Sequence, residues 1–248
     1  MNYIDIFQNH FKEVFPETYL VIATIIILLY AVSATGPEGK LSTAYTIPVW
    51  AVTHAGKLAV LALSLTAALS VWQIPGALGT IFNGTLIVDD LTITVRVIIL
   101  VSALASTLVS FGHIEGQRIN SFEYILLILF STLSMLLIVS SYDLISMYLA
   151  IELQTLCFYV LAAFRRNNEF STEAGLKYFV LGALSSGLLL FGESIIYGST
   201  GITNFEELTK LLTLGSQEGS ADVQIMSLGV LLMLIAFLFK ISAAPFHM

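Results

Sequence analysis

Leu144-Ile145-Ser146-Met147-Tyr148-Leu149-Ala150-Ile151-Glu152-Leu153-Gln154-Thr155-Leu156-Cys157-Phe158-Tyr159-Val160-Leu161-Ala162 runs for nineteen residues with one charged side chain, Glu152. A bilayer core about 30 Å thick needs about 20 apolar residues, each rising about 1.5 Å, to cross it as a helix. The strict apolar/polar alternation of a membrane β-barrel is absent, so the stretch reads as a transmembrane helix. Six more segments share its character. The seven helical segments fall at about 17–35, 50–73, 91–111, 121–141, 143–164, 173–198 and 223–245.

The whole chain agrees with this reading. Of 248 residues, 57% are hydrophobic and 11% are charged, and the mean hydropathy is +0.90. Soluble domains carry roughly 25% charged residues. Ten Lys+Arg against 17 Asp+Glu leave a net charge of −7. A cytosolic globular enzyme, a nucleic-acid binder and a disordered chain are excluded, since the last two need a basic stripe or low hydrophobicity with high charge. Cys157, the single cysteine, makes neither an internal disulfide nor a metal cluster. The fold class is therefore all-α integral membrane, with about seven transmembrane helices.

Turn residues separate the segments: Gly36-Pro37-Glu38-Gly39, Pro75-Gly76, Gly112, Arg165-Arg166-Asn167-Asn168 and Gly198 to Gly201. The longest loop, roughly 199–222, holds Glu206, Glu207, Lys210, Glu218 and Asp222. The first 17 residues carry Asp5, Glu13 and Glu17 but no basic n-region and no Arg-rich pattern, so insertion without a cleaved leader is expected. Loops on one side hold Lys40, Arg118, Arg165 and Arg166, against Lys12 and Lys210 on the other. The positive-inside rule then puts the N-terminus outside.

Charges that fall within spans are costly and mark functional candidates. Glu152 sits about 14 Å deep by helical rise, where an unpaired carboxylate takes up a proton or finds a cation. A structural staple to a lysine is the alternative. Snorkelling alone accounts for Lys177, except that Glu152 needs a cationic partner and few exist; Glu173, one turn earlier on the same face, offers Lys177 a competing interfacial partner. Lys240 closes an otherwise uncharged span, and Pro245 frees the carbonyl of Ile241 five residues later. A lysine beside a helix break at membrane depth is an arrangement used at coupling sites. Glu193 and His247 are auxiliary candidates. Lys57 reads as snorkelling to the interface, and Arg96 as pairing locally with Asp89 or Asp90 at the membrane edge. Glu123 reads as interfacial. Tyr142, Tyr148, Phe158, Tyr159 and Phe179 read as core, belt or lipid-facing residues, and Gly182, Ser185, Ser186 and Gly187 as a close helix-packing face. The sequence offers no nucleotide loop, metal set or catalytic triad.

Three stretches carry a family likeness: Ser141-Tyr142-Asp143 through Glu152-Leu153-Gln154, Phe170 through Lys177-Tyr178 toward Tyr197-Gly198-Ser199-Thr200-Gly201, and Phe239-Lys240-Ile241-Ser242-Ala243-Ala244-Pro245-Phe246-His247-Met248. Together they resemble the subunit-2 family of proton-pumping NADH:ubiquinone oxidoreductase (respiratory complex I), in the mitochondrial form of plants and algae. The likeness is specific over 120–248, while 1–119 fits by topology and hydropathy. It implies three extra helices in 1–119, followed in 120–248 by the incomplete first half, four helices, of an antiporter-like inverted-repeat fold. On the family pattern Glu152, Lys177 and Lys240 form the entrance half of a proton-translocation pathway. Glu193 departs from the pattern.

The resemblance further implies a multi-pass place in the mitochondrial inner membrane, with the N-terminus on the intermembrane-space side. It implies no cofactor in this chain, the complex using NADH, FMN, iron-sulfur clusters and ubiquinone on other subunits. Expected partners are other complex I membrane-arm subunits, membrane lipids and a second polypeptide that completes the C-terminal half, with no nucleic acid. Family members continue past Pro245-Phe246-His247-Met248, so either the gene is split and that second polypeptide supplies the remainder, or the sequence is a truncated half. Two other readings stay open: a stand-alone cation/proton antiporter, and a purely structural membrane subunit.

Overall fold

The computed structural model describes residues 13–34, 49–73, 79–117, 122–215 and 221–244. Eight helices run in order along them: α1 (Phe15–Ala34), α2 (Val49–Trp72), α3 (Asp90–Gln117), α4 (Glu123–Ser140), α5 (Leu144–Ala162), α6 (Glu169–Thr200), α7 (Phe205–Gly215) and α8 (Ala221–Lys240). Two short strands, β1 (Gly79–Ile81) and β2 (Leu86–Val88), form a hairpin between α2 and α3. In lipid each backbone N–H and C=O must be paired within its own segment, which is why apolar runs of this length become helices. The helices α1 to α6 are each long and apolar enough to cross a membrane. The seventh expected span, α8, is apolar over Gln224–Lys240 and shorter than the others.

Three local expectations change. Gly112 does not end its helix, because α3 continues to Gln117; one glycine costs a helix interior about 1 kcal/mol, too little to break a run this apolar. Part of the expected loop 199–222 is helical, because α7 places apolar Leu208 on its buried side and Glu206, Glu207 and Lys210 on exposed positions. Asn204 starts it by accepting from Glu206 N at 2.9 Å. The segment between the second and third spans contains the hairpin, whose turn places Phe82, Asn83 and Gly84 at positive φ. The turns at Gly36–Gly39 and Pro75-Gly76, the cations Lys12, Lys40 and Arg118, and Pro245 and His247 lie outside the described residues.

Contacts divide the chain into two compact units, Met1–Ile81 with Val88–Ser140, and Phe82–Ile87 with Ser141–Met248. This is a division by packing, whereas the expected boundary at 119–120 separates an N-terminal three-helix segment from a partial antiporter-like repeat, a different property. The first unit holds α1 to α4. Ala55, Ala59 and Ala62 form a buried stripe on α2, packed with Leu20, Ile27, Leu100, Ile125 and Leu129. Small residues on the inner stripe let helix backbones approach where lipid supplies no hydrophobic drive. Large apolar residues such as Ile22, Ile26, Leu29 and Leu61 face outward. Buried hydroxyls return to their own helix: Thr24, Thr66 and Thr107 each donate to the carbonyl four residues back at 2.7 Å.

The second unit is built around α6, 32 residues and about 48 Å long by helical rise. Asn168 caps its start by accepting from Phe170 N at 3.0 Å, and Gly201 ends it in the left-handed conformation. Helix α5 runs antiparallel to α6, with Gly175 against Ala163 and Gly182 under the Tyr159 hydroxyl. Helix α8 is also antiparallel to α6, and Gly192 and Gly229 meet at the crossing. A Cβ on either would press on the other's carbonyl oxygen, at 2.7 and 2.8 Å.

Candidate functional site

Helix α5 carries Glu152 as its ninth residue of nineteen, at the middle of the span. The side chain is half-buried. Thr155 Oγ1 donates to the Glu152 carbonyl at 3.0 Å and approaches Oε2 at 3.5 Å, the outer limit of hydrogen bonding. Tyr148, one turn earlier, and Tyr159, two turns later, both lie within range of the Glu152 charge. Tyr159 is buried, stacked edge-on against Tyr178 and Phe179 at ring separations of 4.9 and 5.5 Å. The expected assignment of these two tyrosines to core or belt thus omits their place beside a carboxylate.

Lys240 approaches the same region from α8. Its Nζ donates to Ser186 Oγ at 3.1 Å, and Ser185 Oγ donates to the Ala236 carbonyl at 3.1 Å one turn away. Ser186 is the eighteenth residue of α6, so the Lys240 ammonium sits near the middle of the longest helix. Glu152 is the acid within electrostatic range of Lys240. The chain leaves the helix immediately afterwards: Ser242 N donates to Phe239 O at 3.0 Å, Ala243 N donates to Leu238 O at 3.0 Å, and Ser242 takes φ 54°. This paired i−3 and i−5 closure is a Schellman ending. Of the small residues read as a packing face, Gly182, Ser185 and Ser186 make close contacts, whereas Gly187 has open space beside it.

Lys177 is placed elsewhere. Its Nζ meets Glu173 Oε1 at 2.6 Å, and both side chains are exposed, by 62% and 59%. Gly175 lies against Ala163, so Lys177 belongs to the end of α5 that is eleven residues from Glu152, about 16 Å along the axis. The expected neighbour of Glu152 is therefore paired with its competitor, and Lys240 takes the position near Glu152. The i,i+4 spacing of Glu173 and Lys177 on one helix decides this pairing.

Glu193 is buried, with Asp143 within electrostatic range. His247 lies outside the described residues. Asp143 was visible in the sequence only as part of a longer run, since an aspartate opening a helix reads as a cap.

The first unit holds a separate charged cluster. Arg96 Nη2 meets Glu17 Oε1 at 2.5 Å and donates to Ser140 Oγ at 2.8 Å. Arg96 is 1% exposed. It does not form the expected edge pair with Asp89 or Asp90. Asp89 instead accepts from Thr92 N at 2.7 Å and Thr92 Oγ1 at 2.5 Å, capping α3. Those bonds, the hydroxyl first, hold the Asp89 carboxyl below its ordinary range. Glu17 was missed as a partner because it stands 79 positions from Arg96; the available signal was that both fall inside apolar helices. Lys57 is exposed on α2.

Residues 141–248 match the family model described as NADH:quinone oxidoreductase/Mrp antiporter, TM. The chain is 45% identical to NADH-ubiquinone oxidoreductase chain 2 of Marchantia polymorpha, over 98% of this chain and 48% of that protein. It is 37% identical to NADH-quinone oxidoreductase subunit N of Paramagnetospirillum magneticum, over 95% of this chain and 45% of that protein. Among solved structures, a chain of respiratory complex I from Thermus thermophilus with bound aureothin superposes with a TM-score of 0.68 at 26% identity, covering 94% of this chain and 45% of that one. The chain thus spans about half the length of the relatives it matches. The likeness also extends over residues 1–119, where the sequence supplied only hydropathy and topology.

Proposed function

Because the chain belongs to the NADH:quinone oxidoreductase/Mrp antiporter family of membrane subunits, we propose that it serves in the membrane arm of a proton-pumping NADH:ubiquinone oxidoreductase and supplies the entrance half of a proton pathway. The observation that carries this reading is that, in mid-span, Glu152 on α5 lies within electrostatic range of the Lys240 amine anchored on Ser186 of α6. An ionisable pair at that depth is expensive unless it is used. An anion close to a lysine favours the protonated amine, and separating the two favours release. A movement of α8 against α6 therefore passes a proton through Lys240, with Thr155, Ser186 and Tyr159 as the polar groups between. Lys177 joins this route when it exchanges Glu173 for the inner acids. Residues 120–248 are the repeat that carries the pathway, and 1–119 are the preceding three-helix segment.

The chain itself holds no redox group in this reading; NADH, FMN, iron-sulfur clusters and ubiquinone belong to other subunits. Its place is the mitochondrial inner membrane, multi-pass, with the N-terminus on the intermembrane-space side. Further complex I membrane-arm subunits surround it.

Glu152→Ala, Lys177→Ala and Lys240→Ala in the assembled complex test the proposal. Proton pumping per NADH oxidised falls in each if the reading holds. Unchanged pumping stoichiometry in all three contradicts it and favours a structural subunit.

A further inference from the structure

Asp143 occupies the N-cap position of α5, yet its side chain makes no cap hydrogen bond. An aspartate there ordinarily accepts from a backbone N–H two or three residues into the helix. Here the backbone is held by other means: Leu144 N donates to Thr203 O at 3.0 Å and Met147 N to Asp143 O at 3.0 Å. The carboxylate is left over. Asp143 is 7% exposed, and its Oδ1 is sealed from solvent with no hydrogen-bond partner. Glu193, near the end of α6, is 5% exposed, and its Oε1 is likewise sealed and without a partner. The two acids lie within electrostatic range of each other, and among the described residues neither belongs to an ion pair.

Two carboxylates buried within electrostatic range of each other, with no cation paired to either, favour sharing a proton over both being ionised. Among the described residues the groups around them do not supply a cation. From α5 the titratable neighbours are Tyr148, which feels both Glu193 and Glu152, and Glu152 itself. From α8 the contact beside Glu193 is Gly229 and Met233 against Gly192, and the lysine of that helix is eleven residues further on, at Ser186. From α7, Glu206, Glu207 and Lys210 are exposed, with Lys210 committed to Glu206 at 2.6 Å.

We propose that Asp143 and Glu193 hold one proton between them and act as a loading site for Glu152, a role outside the pathway residues named above. One carboxyl is the acid, and its O–H donates to the carboxylate of the other. On transfer the donor O–H bond breaks and the proton ends on a Glu152 carboxylate oxygen by way of the Tyr148 hydroxyl, while a proton entering from the side of the membrane at which α5 begins forms the new O–H bond of the pair in the same step. The direction of transfer rests on the pump reading; the shared proton does not.

Infrared difference spectra of the assembled complex in membranes, wild type minus Glu193→Gln, taken in water and in heavy water, test the pair directly. The expected result is one deuterium-sensitive carboxylic-acid carbonyl band at neutral pH, lost in Glu193→Gln and kept in Glu193→Asp. In Asp143→Asn, loss of the neighbouring charge moves the titration of that band down by about one pH unit or more. No such band in wild type, or a band unchanged in both Glu193→Gln and Asp143→Asn, overturns the proposal. So does a band abolished by sodium at fixed pH, which makes the occupant a cation. A normal pumping ratio in Glu152→Gln with the band behaving as expected leaves the shared proton standing and overturns only the route to Glu152.

Discussion

Lys240 Nζ donates to Ser186 Oγ at 3.1 Å, so the last residue of α8 is fixed beside the middle of the longest helix. The position of this amine depends on one hydroxyl and one helix crossing. Ser186→Ala removes a hydrogen bond to a charged group, worth about 1.5–3 kcal/mol. Proton pumping should fall about tenfold or more while the amount of assembled complex stays near normal. Pumping followed with a pH-sensitive dye in NADH-energised membranes reads this, and full pumping in Ser186→Ala argues that the anchor is dispensable.

Gly192→Val tests the crossing. Any Cβ at Gly192 presses on the Gly229 carbonyl and on Met233, and overpacking of this kind costs about 1–3 kcal/mol. The expected outcome is a less heat-stable complex with weakened pumping, whereas Gly198→Ala, with open space around its position, leaves thermal stability unchanged.

The ending of α8 is strained in a way that glycine relieves. Ser242 adopts φ 54°, and a left-handed conformation costs an L-residue roughly 1–2 kcal/mol. Ser242→Gly should keep or raise stability by up to about 1 kcal/mol, and Ser242→Val should lower it and displace Lys240. Thermal unfolding together with pumping separates the two variants.

How far these features can be read from the chain alone varies with their range. The spans were legible because lipid demands apolar runs of fixed length, and Glu152 stood out because a carboxylate interrupts one. Lys240 was legible from its depth and the helix break beyond it. Its partner was not, because Ser186 read as one more small residue in a packing face. The choice of Glu173 over Glu152 by Lys177 lay within the sequence as an i,i+4 spacing, but spacing alone does not say which of two acids wins. The Glu17–Arg96 pair joins helices far apart in the chain, and helix order in one sequence does not specify which faces meet.

The Arg96–Glu17 pair makes a contrast prediction for the first unit. Arg96→Leu alone leaves Glu17 buried without its cation, a change that costs about 3–5 kcal/mol. Arg96→Leu combined with Glu17→Leu removes both charges and should recover most of the assembled complex, measured by native gel and heat stability. Equal loss in the single and double variants assigns the cluster a role beyond pairing.

At the start of α3 the depressed Asp89 carboxyl gives a pH dependence. A folded value below the unfolded one means that the cap contributes fully above the ordinary aspartate range and is lost as pH falls through the folded value. Asp89→Ala should cost about 1 kcal/mol at neutral pH. Its deficit relative to wild type should shrink under strongly acid conditions, as read from unfolding followed against pH.

The central claim is that Glu152 and Lys240 work as one unit, and a double-variant cycle on protons pumped per electron tests it most directly. Membranes containing the assembled complex are compared as wild type, Glu152→Gln, Lys240→Gln and the two together, with quinone reduction measured in parallel. The account predicts a lowered ratio in each single variant and a double variant no worse than the poorer single one, as for residues acting together. Losses that multiply independently, or a ratio unchanged in all three, contradict it.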